Sequence, residues 1–503
     1  MKTYYSKHFT IADNGHLHMD GVDLIDVAKQ YGTPAYVMSE SQLRENCREF
    51  TTAMKRNFGE NYKVAYASKA LCARFLYPIL ASEGIHADVV SGGELYTALK
   101  AGFNPKHLHF HGNNKTVAEL EMAVECGIGS IIIDAFEEVD RIEAICAKKG
   151  VRQRVLFRVK PGVHADTHEF ISTGQNDCKF GFGIEDGDAM RMSKYILEHE
   201  HLEFAGIHCH IGSQVFSIDG FARAAKIMFE FFCKIENELN IKMEELIVGG
   251  GFGVKYMPTD EPGTFGEKID AMGEVLRAEA AKAGREVPEI VIEPGRSMVC
   301  AAGCTLYTVG SVRDIKDARS YVSVDGGLPD NPRFALYQAQ YDAVVANRAD
   351  APKDKLQTIA GRCCESGDLV ARDLMFQTAK AEDILCVFAT GAYNFSMASN
   401  YNPRPLPAEI LVKNGESFVE KVGFQIVLKE TRSNTGAYWK NDGDDNFVTL
   451  ADAKWDNGSY HVFAIENNVP NYTTRFTADA MENPYENDDG TNVSIANINS
   501  SNP

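Results

Sequence analysis

No run of about 18 uninterrupted apolar residues occurs in the 503-residue chain, so no segment reads as a membrane-spanning helix. Residues 1–15 combine charge with turn formers and lack the apolar stretch of a secretory signal, which makes a cytoplasmic location the expectation. Paired-cysteine zinc spacings are missing too. The twelve cysteines stand singly apart from Cys363-Cys364 and the Cys300/Cys304 pair, which excludes a CxxC…CxxC framework and fits free thiols in a reducing compartment. Basic residues are outnumbered, 51 against 70 acidic ones, for a net charge of −19. That balance disfavours nucleic acid and anionic membrane surfaces, although a local basic pocket can still bind phosphate. Tryptophan is scarce, and both copies, Trp439 and Trp455, fall in the C-terminal tail.

What is present is length and rhythm. A chain this long and 44% hydrophobic buries enough core for two domains or more. From about residue 62 to 295, short apolar runs alternate with helix-period segments. The runs are Lys63–Ser68, His86–Ser91, His107–His111, Ser130–Asp134, Val155–Lys160, Gly206–Ile211, Leu246–Val248 and Glu289–Glu293. Thr116–Cys126, Phe221–Leu239 and Phe265–Ala283 read as helices between them. Eight such units match an α/β fold of the parallel (β/α)8, TIM-type barrel kind over residues 40–297, with a doubly wound open sheet as the rival.

After Gly295 the pattern becomes strand-like, at Leu306–Arg313, Tyr321–Val324, Ile384–Ala389 and Glu409–Val412, with helix only near Asn331–Asn347. This reads as a second, mostly β domain made of residues 1–39 and 298–430. The tail, 431–503, is an acidic, asparagine-rich extension. From Asn441 it holds 11 acidic residues, 2 basic ones and 12 asparagines. Phe447, Val448, Trp455, Tyr460, Val462, Phe463 and Ile465 suit a small hairpin, and disorder is expected from about Glu482.

Barrels carry chemistry at the carboxyl ends of their strands. There the sequence puts Lys69, His210, Gly249-Gly250-Gly251 and Glu293-Pro294-Gly295-Arg296. Lys69 is either a solvated cap or a partly desolvated amine able to attack a carbonyl. The glycines admit close approach of backbone N–H groups to an anion. Pro258 and Pro262 interrupt the chain after these glycines, which favours a phosphate cup over a dinucleotide turn. Glu293 is either a capping carboxylate or one that keeps a pyridine nitrogen protonated. The ring of His210 can stack on a planar cofactor. His208 and His210 share one strand face, as do His107, His109 and His111, which suggests metal ligands. No further carboxylate or histidine stands at a strand end suited to completing such a set, so no metal is expected.

The runs Tyr66-Ala67-Ser68-Lys69, His208-Cys209-His210-Ile211-Gly212-Ser213, Gly249-Gly250-Gly251-Phe252-Gly253 and Glu293-Pro294-Gly295-Arg296 resemble the fold-type III pyridoxal-phosphate-dependent decarboxylases. That family includes the ornithine, arginine and diaminopimelate enzymes, and the likeness runs from about residue 15 to 430. Asp330-Asn331-Pro332-Arg333-Phe334-Ala335-Leu336-Tyr337, Cys363-Cys364-Glu365-Ser366-Gly367-Asp368 and Gly391-Ala392-Tyr393 look like its diaminopimelate branch. The resemblance implies pyridoxal 5'-phosphate held by Lys69, with His210 stacked on its ring and Glu293 on the ring nitrogen. It implies Ser213, Gly249, Gly250, Gly251, Gly295, Arg296 and Tyr393 around the phosphate. Arg296, Arg333 and Tyr337 would meet the substrate's distal carboxylate, Glu365 its distal ammonium, and Tyr393 would also contact the substrate. Cys364 would return a proton after CO2 leaves, reaching the site from the partner in a homodimer with shared active sites.

The implied reaction is decarboxylation of meso-2,6-diaminopimelate, an amino-acid substrate, to L-lysine, the last step of lysine biosynthesis. Substrate and product differ by one carboxylate, so the site must be left unsatisfied by lysine. Arginine gives bidentate recognition of that group, and such sites reject analogues lacking it by roughly 10⁴-fold or more. The alternatives are an ornithine, lysine or arginine decarboxylase, an inactive regulatory homologue, and a metal hydrolase. For Arg333 and Tyr337 the bland reading is i, i+4 packing on a short helix; for Cys364 it is a buried structural thiol.

Overall fold

The computed structural model describes residues 6–162 and 178–421, and in the tail the strand segments 450–456, 459–465, 473–477, 482–486 and 492–494. The chain divides into two compact units, residues 40–302 with 391–396, and residues 1–39, 303–390 and 397–503.

In the first unit, eight parallel strands close on themselves: Tyr62–Ala67, His86–Val89, Leu108–Phe110, Ser130–Ile133, Gln153–Lys160, Leu202–His208, Glu245–Ile247 and Glu289–Ile292. Closure is decided by two pairings, the fourth strand with the fifth and the eighth with the first. Together with the other pairings these give each of the eight strands two neighbours in a closed ring, whereas an open doubly wound sheet keeps two edge strands, so that rival is excluded. The helices between strands end where local chemistry stops them. Thr116 and Thr264 form capping boxes with Glu119 and Glu267 for helices Val117–Glu125 and Phe265–Lys282. Asn240, left-handed at φ 51°, closes helix Ile218–Leu239. Helix Glu40–Phe58 precedes the first strand and packs on Phe265–Lys282, with the rings of Phe50 and Phe265 stacked at 4.7 Å.

The sixth strand departs from expectation. It starts at Leu202, and it ends at His208, so His210 lies two residues beyond it. A bulge between Phe204 and Gly206 explains the early start, since it breaks the alternation that the apolar run suggested. The bulge needs Gly206, where a Cβ would overlap the carbonyl oxygen of Glu245 on the seventh strand. Gly206→Ala is therefore expected to destabilise the barrel by about 1–3 kcal/mol, read as a lower urea midpoint. An unchanged midpoint would mean that the two strands separate freely.

The second unit is built on a sheet in the order Leu369–Phe376, Lys355–Ala360, Ser320–Val324, Gly303–Asp314, Ala35–Ser39, Ala408–Lys413, Glu416–Lys421. Ile384–Phe388 also pairs with Gly303–Asp314 and carries Ala343–Val345 on its other side. Its core joins N-terminal and C-terminal residues, as where Phe9 meets Phe388 edge-on at 5.0 Å. The expected helix near Asn331–Asn347 shrinks to Arg333–Tyr337. Gln338 turns left-handed at φ 52°, which ends it, and Ala343–Val345 is strand instead.

In the tail, Leu450–Asp456 and Ser459–Ile465 form the expected antiparallel hairpin, pairing Trp455 with Tyr460. Phe447 and Val448 lie outside the described residues. Of the segment expected to be disordered from Glu482, Glu482–Glu486 instead pairs with Asn492–Ser494, and the remainder lies outside the described residues.

Candidate active site

Inside the barrel, Ala65, Ile132, Leu156, Ala205, Ile247 and Val291 form one buried apolar cluster. Strand side chains alternate, so two residues further on the same inward face continues toward the carboxyl ends. There the apolar layer gives way to Ala67, Arg158 and Glu293, joined by Asp88, His111 and His208 from other strands; all line one cavity of about 320 Å3. That size suits a small cofactor with its substrate.

Glu293 is the most constrained of these groups. It is 5% exposed, and His208 Nε2 lies 2.9 Å from its Oε2 in hydrogen-bonding geometry. His111 Nε2 lies 3.0 Å from its Oε1, and among the described residues neither atom has a better-aligned partner. Burial alone would raise the Glu293 carboxyl, yet His208 and His111 outweigh it and hold the group well below the usual carboxylate range. Asp88 goes the other way, pushed up by burial and by the charge of Glu293. Of the two carboxyls, Glu293 keeps the charge.

Lys69 sits in a short turn, Ser68–Ala70, directly after the first strand. It lines the cavity and its side chain is exposed, so the partial desolvation asked of it is not a feature of this turn. Gly295 lets the turn after the eighth strand close on it, since a Cβ there would crowd Ala67 and Ala70. His210 is half-buried; burial, then the charges of Lys69 and Arg158, draw its imidazole well below the ordinary range. Its Nδ1 accepts from Gly250 N–H at 3.2 Å, so that backbone donor is committed to the ring. The three glycines are demanded by packing as well as by any anion. A Cβ at Gly250 would overlap the Glu293 carbonyl, and one at Gly251 the carbonyl of Gly212.

A cationic corner completes the cavity. Arg296 donates through Nη2 to Ser213 Oγ at 3.0 Å and through Nη1 to Tyr256 OH at 2.5 Å, and it lies 4.7 Å from the Tyr393 ring centroid. Tyr393 itself is left-handed at φ 66°, a conformation costing about 1–3 kcal/mol. Its N–H donates to Ala70 O at 2.7 Å, which holds it beside the lysine turn.

Buried histidines give this unit a predictable acid limit. Burial pushes the His86 imidazole down to about 3 and that of His111 down to about 4, from an ordinary 6.5. As pH falls below 6.5 the unfolded chain takes up protons at both positions that the folded chain refuses. Stability is thus highest above about pH 6.5 and falls by about 1 kcal/mol per pH unit per histidine, levelling off near pH 4 for His111 and near pH 3 for His86. Urea midpoints at about pH 7.5 and 5 should differ accordingly, and a constant midpoint would contradict neutral buried rings.

A family model described as "Pyridoxal-dependent decarboxylase, pyridoxal binding domain" matches residues 40–300. A diaminopimelate decarboxylase of Bacillus methanolicus is 46% identical over 416 residues, 83% of this chain and 96% of the relative. The chain belongs to the diaminopimelate decarboxylase family. A family structure from M. jannaschii in complex with L-lysine matches with a TM-score of 0.78 at 34% identity, covering 84% of this chain and 96% of that one. A Helicobacter pylori family member, also complexed with L-lysine, matches at 0.73 and 28%, covering 80% and 96%.

Of the residues read from the sequence, Lys69, His210, Ser213, Gly251, Glu293, Gly295, Arg296 and Tyr393 line the one cavity. Cys364, Glu365, Arg333 and Tyr337 belong to the other unit. There Arg333, 6% exposed, donates to Tyr341 OH at 2.5 Å, and Tyr337 is half-buried at the end of the short helix. Glu365 accepts from Tyr401 OH at 3.1 Å. Cys364 is exposed, which removes the buried-thiol reading, whereas Cys363 is buried and its thiol is pushed up to about 11 by burial.

Sequence reading missed Asp88, Arg158 and Asp368. Asp88 and Arg158 each follow an inward residue by two, a signal that is legible once the barrel register is drawn. Asp368 accepts from Leu328 N at 2.5 Å and Cys363 N at 2.7 Å, tying the loop before Arg333 to the loop of Cys364. The ground for expecting no metal is also corrected in one respect. A carboxylate does reach the histidines: ligand atoms of His109, His111 and Glu293 lie within 4.8 Å of one another. Single-strand faces hid this, because the three come from the third and eighth strands.

Proposed function

We propose that this chain decarboxylates meso-2,6-diaminopimelate to L-lysine and CO2 with pyridoxal 5'-phosphate. The observation that carries the proposal is the buried carboxylate of Glu293 lining a cavity that also holds Lys69 and the Arg296–Ser213–Tyr393 corner. An ionised carboxylate has about four lone-pair sites, more than its two histidine neighbours can fill, which suits a protonated pyridine nitrogen; the cationic corner suits a phosphate, so the residues present fit the cofactor. When bound, it supplies an electron sink for the pair left behind as CO2 departs.

The chain's own groups do the rest. Lys69 provides the attaching amine and His210 a flat neutral face. Ser213, Arg296, Tyr393 and the N–H groups around Gly249, Gly251 and Gly295 hold the phosphate. Arg333 and Tyr337, with Arg296, hold the distal carboxylate, Glu365 the distal ammonium, and Cys364 delivers a proton to the carbon that lost CO2. Functionally the chain divides as 40–297 for cofactor binding, 1–39 with 298–430 for substrate selection, and 431–503 as an appendage. A cytoplasmic location and a homodimer sharing its active sites complete the proposal.

The test is CO2 release from meso-diaminopimelate against ornithine, lysine and arginine, with and without pyridoxal phosphate. Release from diaminopimelate alone, dependent on the cofactor, is expected; release only from ornithine sinks the specificity. Mixed Lys69→Ala and Cys364→Ala subunits should regain part of the activity that each lacks, and a mixture as inactive as its parents argues against shared sites.

A further inference from the structure

The cofactor-binding reading assigns Glu293 to the ring nitrogen but leaves open what aims its carboxylate. Two histidines from different strands face it. His208 ends the sixth strand, is 1% exposed, and aligns its Nε2 with Glu293 Oε2 at 2.9 Å. His111, just past the third strand and 7% exposed, sits 3.0 Å from Oε1. Their rings meet edge-on at 4.8 Å, which leaves neither much room to turn. A carboxylate offers about four lone-pair sites on its two oxygens. His208 takes one on Oε2 and His111 lies against Oε1, so acceptor capacity remains on both oxygens.

We propose that His208 and His111 are positioning residues that fix the orientation of the Glu293 carboxylate, so that one of its remaining lone pairs is held for the cofactor's ring nitrogen. Burial keeps both rings neutral, and a neutral ring that donates through Nε2 has no proton on Nδ1. The Nδ1 atom of His208 is buried and unpartnered, consistent with that tautomer. Asp88, Arg158 and His109 also face this cluster, but each acts on Glu293 through charge rather than through an aligned hydrogen bond. The inference rests on the proposed assignment of Glu293.

The experiment compares binding of pyridoxal phosphate with that of its carbocyclic analogue, in which carbon replaces the ring nitrogen. The proteins are the wild type, His208→Leu, His208→Asn and His208→Gln. The wild type should prefer pyridoxal phosphate. His208→Leu should weaken pyridoxal phosphate by about 10- to 100-fold, the scale of a charge-assisted hydrogen bond, and leave the analogue within about 3-fold. His208→Gln, whose amide still donates, should recover most of the preference. If His208→Leu does not fold, His208→Asn takes its place, since its amide is too short to reach Oε2. Equal losses for both ligands would make the role merely structural and overturn the proposal, as would a preference that survives in His208→Leu or His208→Asn. A wild type that binds both ligands equally overturns the assignment of Glu293 itself, which is a separate failure.

Discussion

Lys69→Ala is expected to lower CO2 release from diaminopimelate by at least about 10⁴-fold, the scale on which losing an activated nucleophile acts. The variant should fold, because Lys69 is exposed in a three-residue turn whose neighbours Ser68 and Ala70 are buried without it. Ser68 Oγ accepts from Tyr77 OH at 3.0 Å, and that bond does not involve the lysine. The specific readout is attachment. Borohydride treatment of wild-type enzyme with pyridoxal phosphate should fix the cofactor to the peptide carrying Lys69, and the visible absorbance band of the bound cofactor should vanish in Lys69→Ala. A persisting band, or a label on another lysine, would show that the attaching residue is misassigned. Lys115 cannot substitute, since it is 3% exposed and paired with Glu138 at 2.7 Å.

Replacing Arg333 should have the second largest effect. Arg333→Lys keeps the charge but loses the planar fork, so it is not a conservative change at a bidentate site. We expect kcat/KM for diaminopimelate to fall by about 10²- to 10³-fold in Arg333→Lys, and further in Arg333→Ala, while lysine remains a non-substrate. Most of the loss should appear in KM if the arginine binds ground and transition states alike. Packing complicates Arg333→Ala, because the guanidinium is buried against Tyr341. Arg333→Lys preserves most of that volume, and a melting curve separates a folding defect from a binding one. Unchanged kinetics in Arg333→Lys would remove Arg333 from the substrate site and leave Tyr337 and Arg296 as the remaining candidates.

Both outcomes bear on how the two units divide the labour. Lys69 stands where a barrel strand ends, a position that repeats eight times and is legible from periodicity. Arg333 stands in a five-residue helix whose limits the sequence blurred, because Ala339–Val345 carries enough apolar residues to extend a helical pattern. The left-handed Gln338 stops it, and nothing in the local composition announces that turn.

By itself the sequence determined the strand rhythm, the order of the barrel, and part of the set at its carboxyl ends, Lys69, His210 and Glu293 among them. These follow from short-range rules: apolar runs, capping residues and glycines that a turn requires. The tertiary structure alone decided which of those residues meet. Closure of the ring brings His111 and His208 onto Glu293 from three strands, and the bulge beside Gly206 sets the height at which His208 arrives. Periodicity reports whether a side chain points inward, but strand stagger and barrel closure fix its height and neighbours. For that reason Glu293 was legible as a candidate, while the pair of histidines that hold it was not.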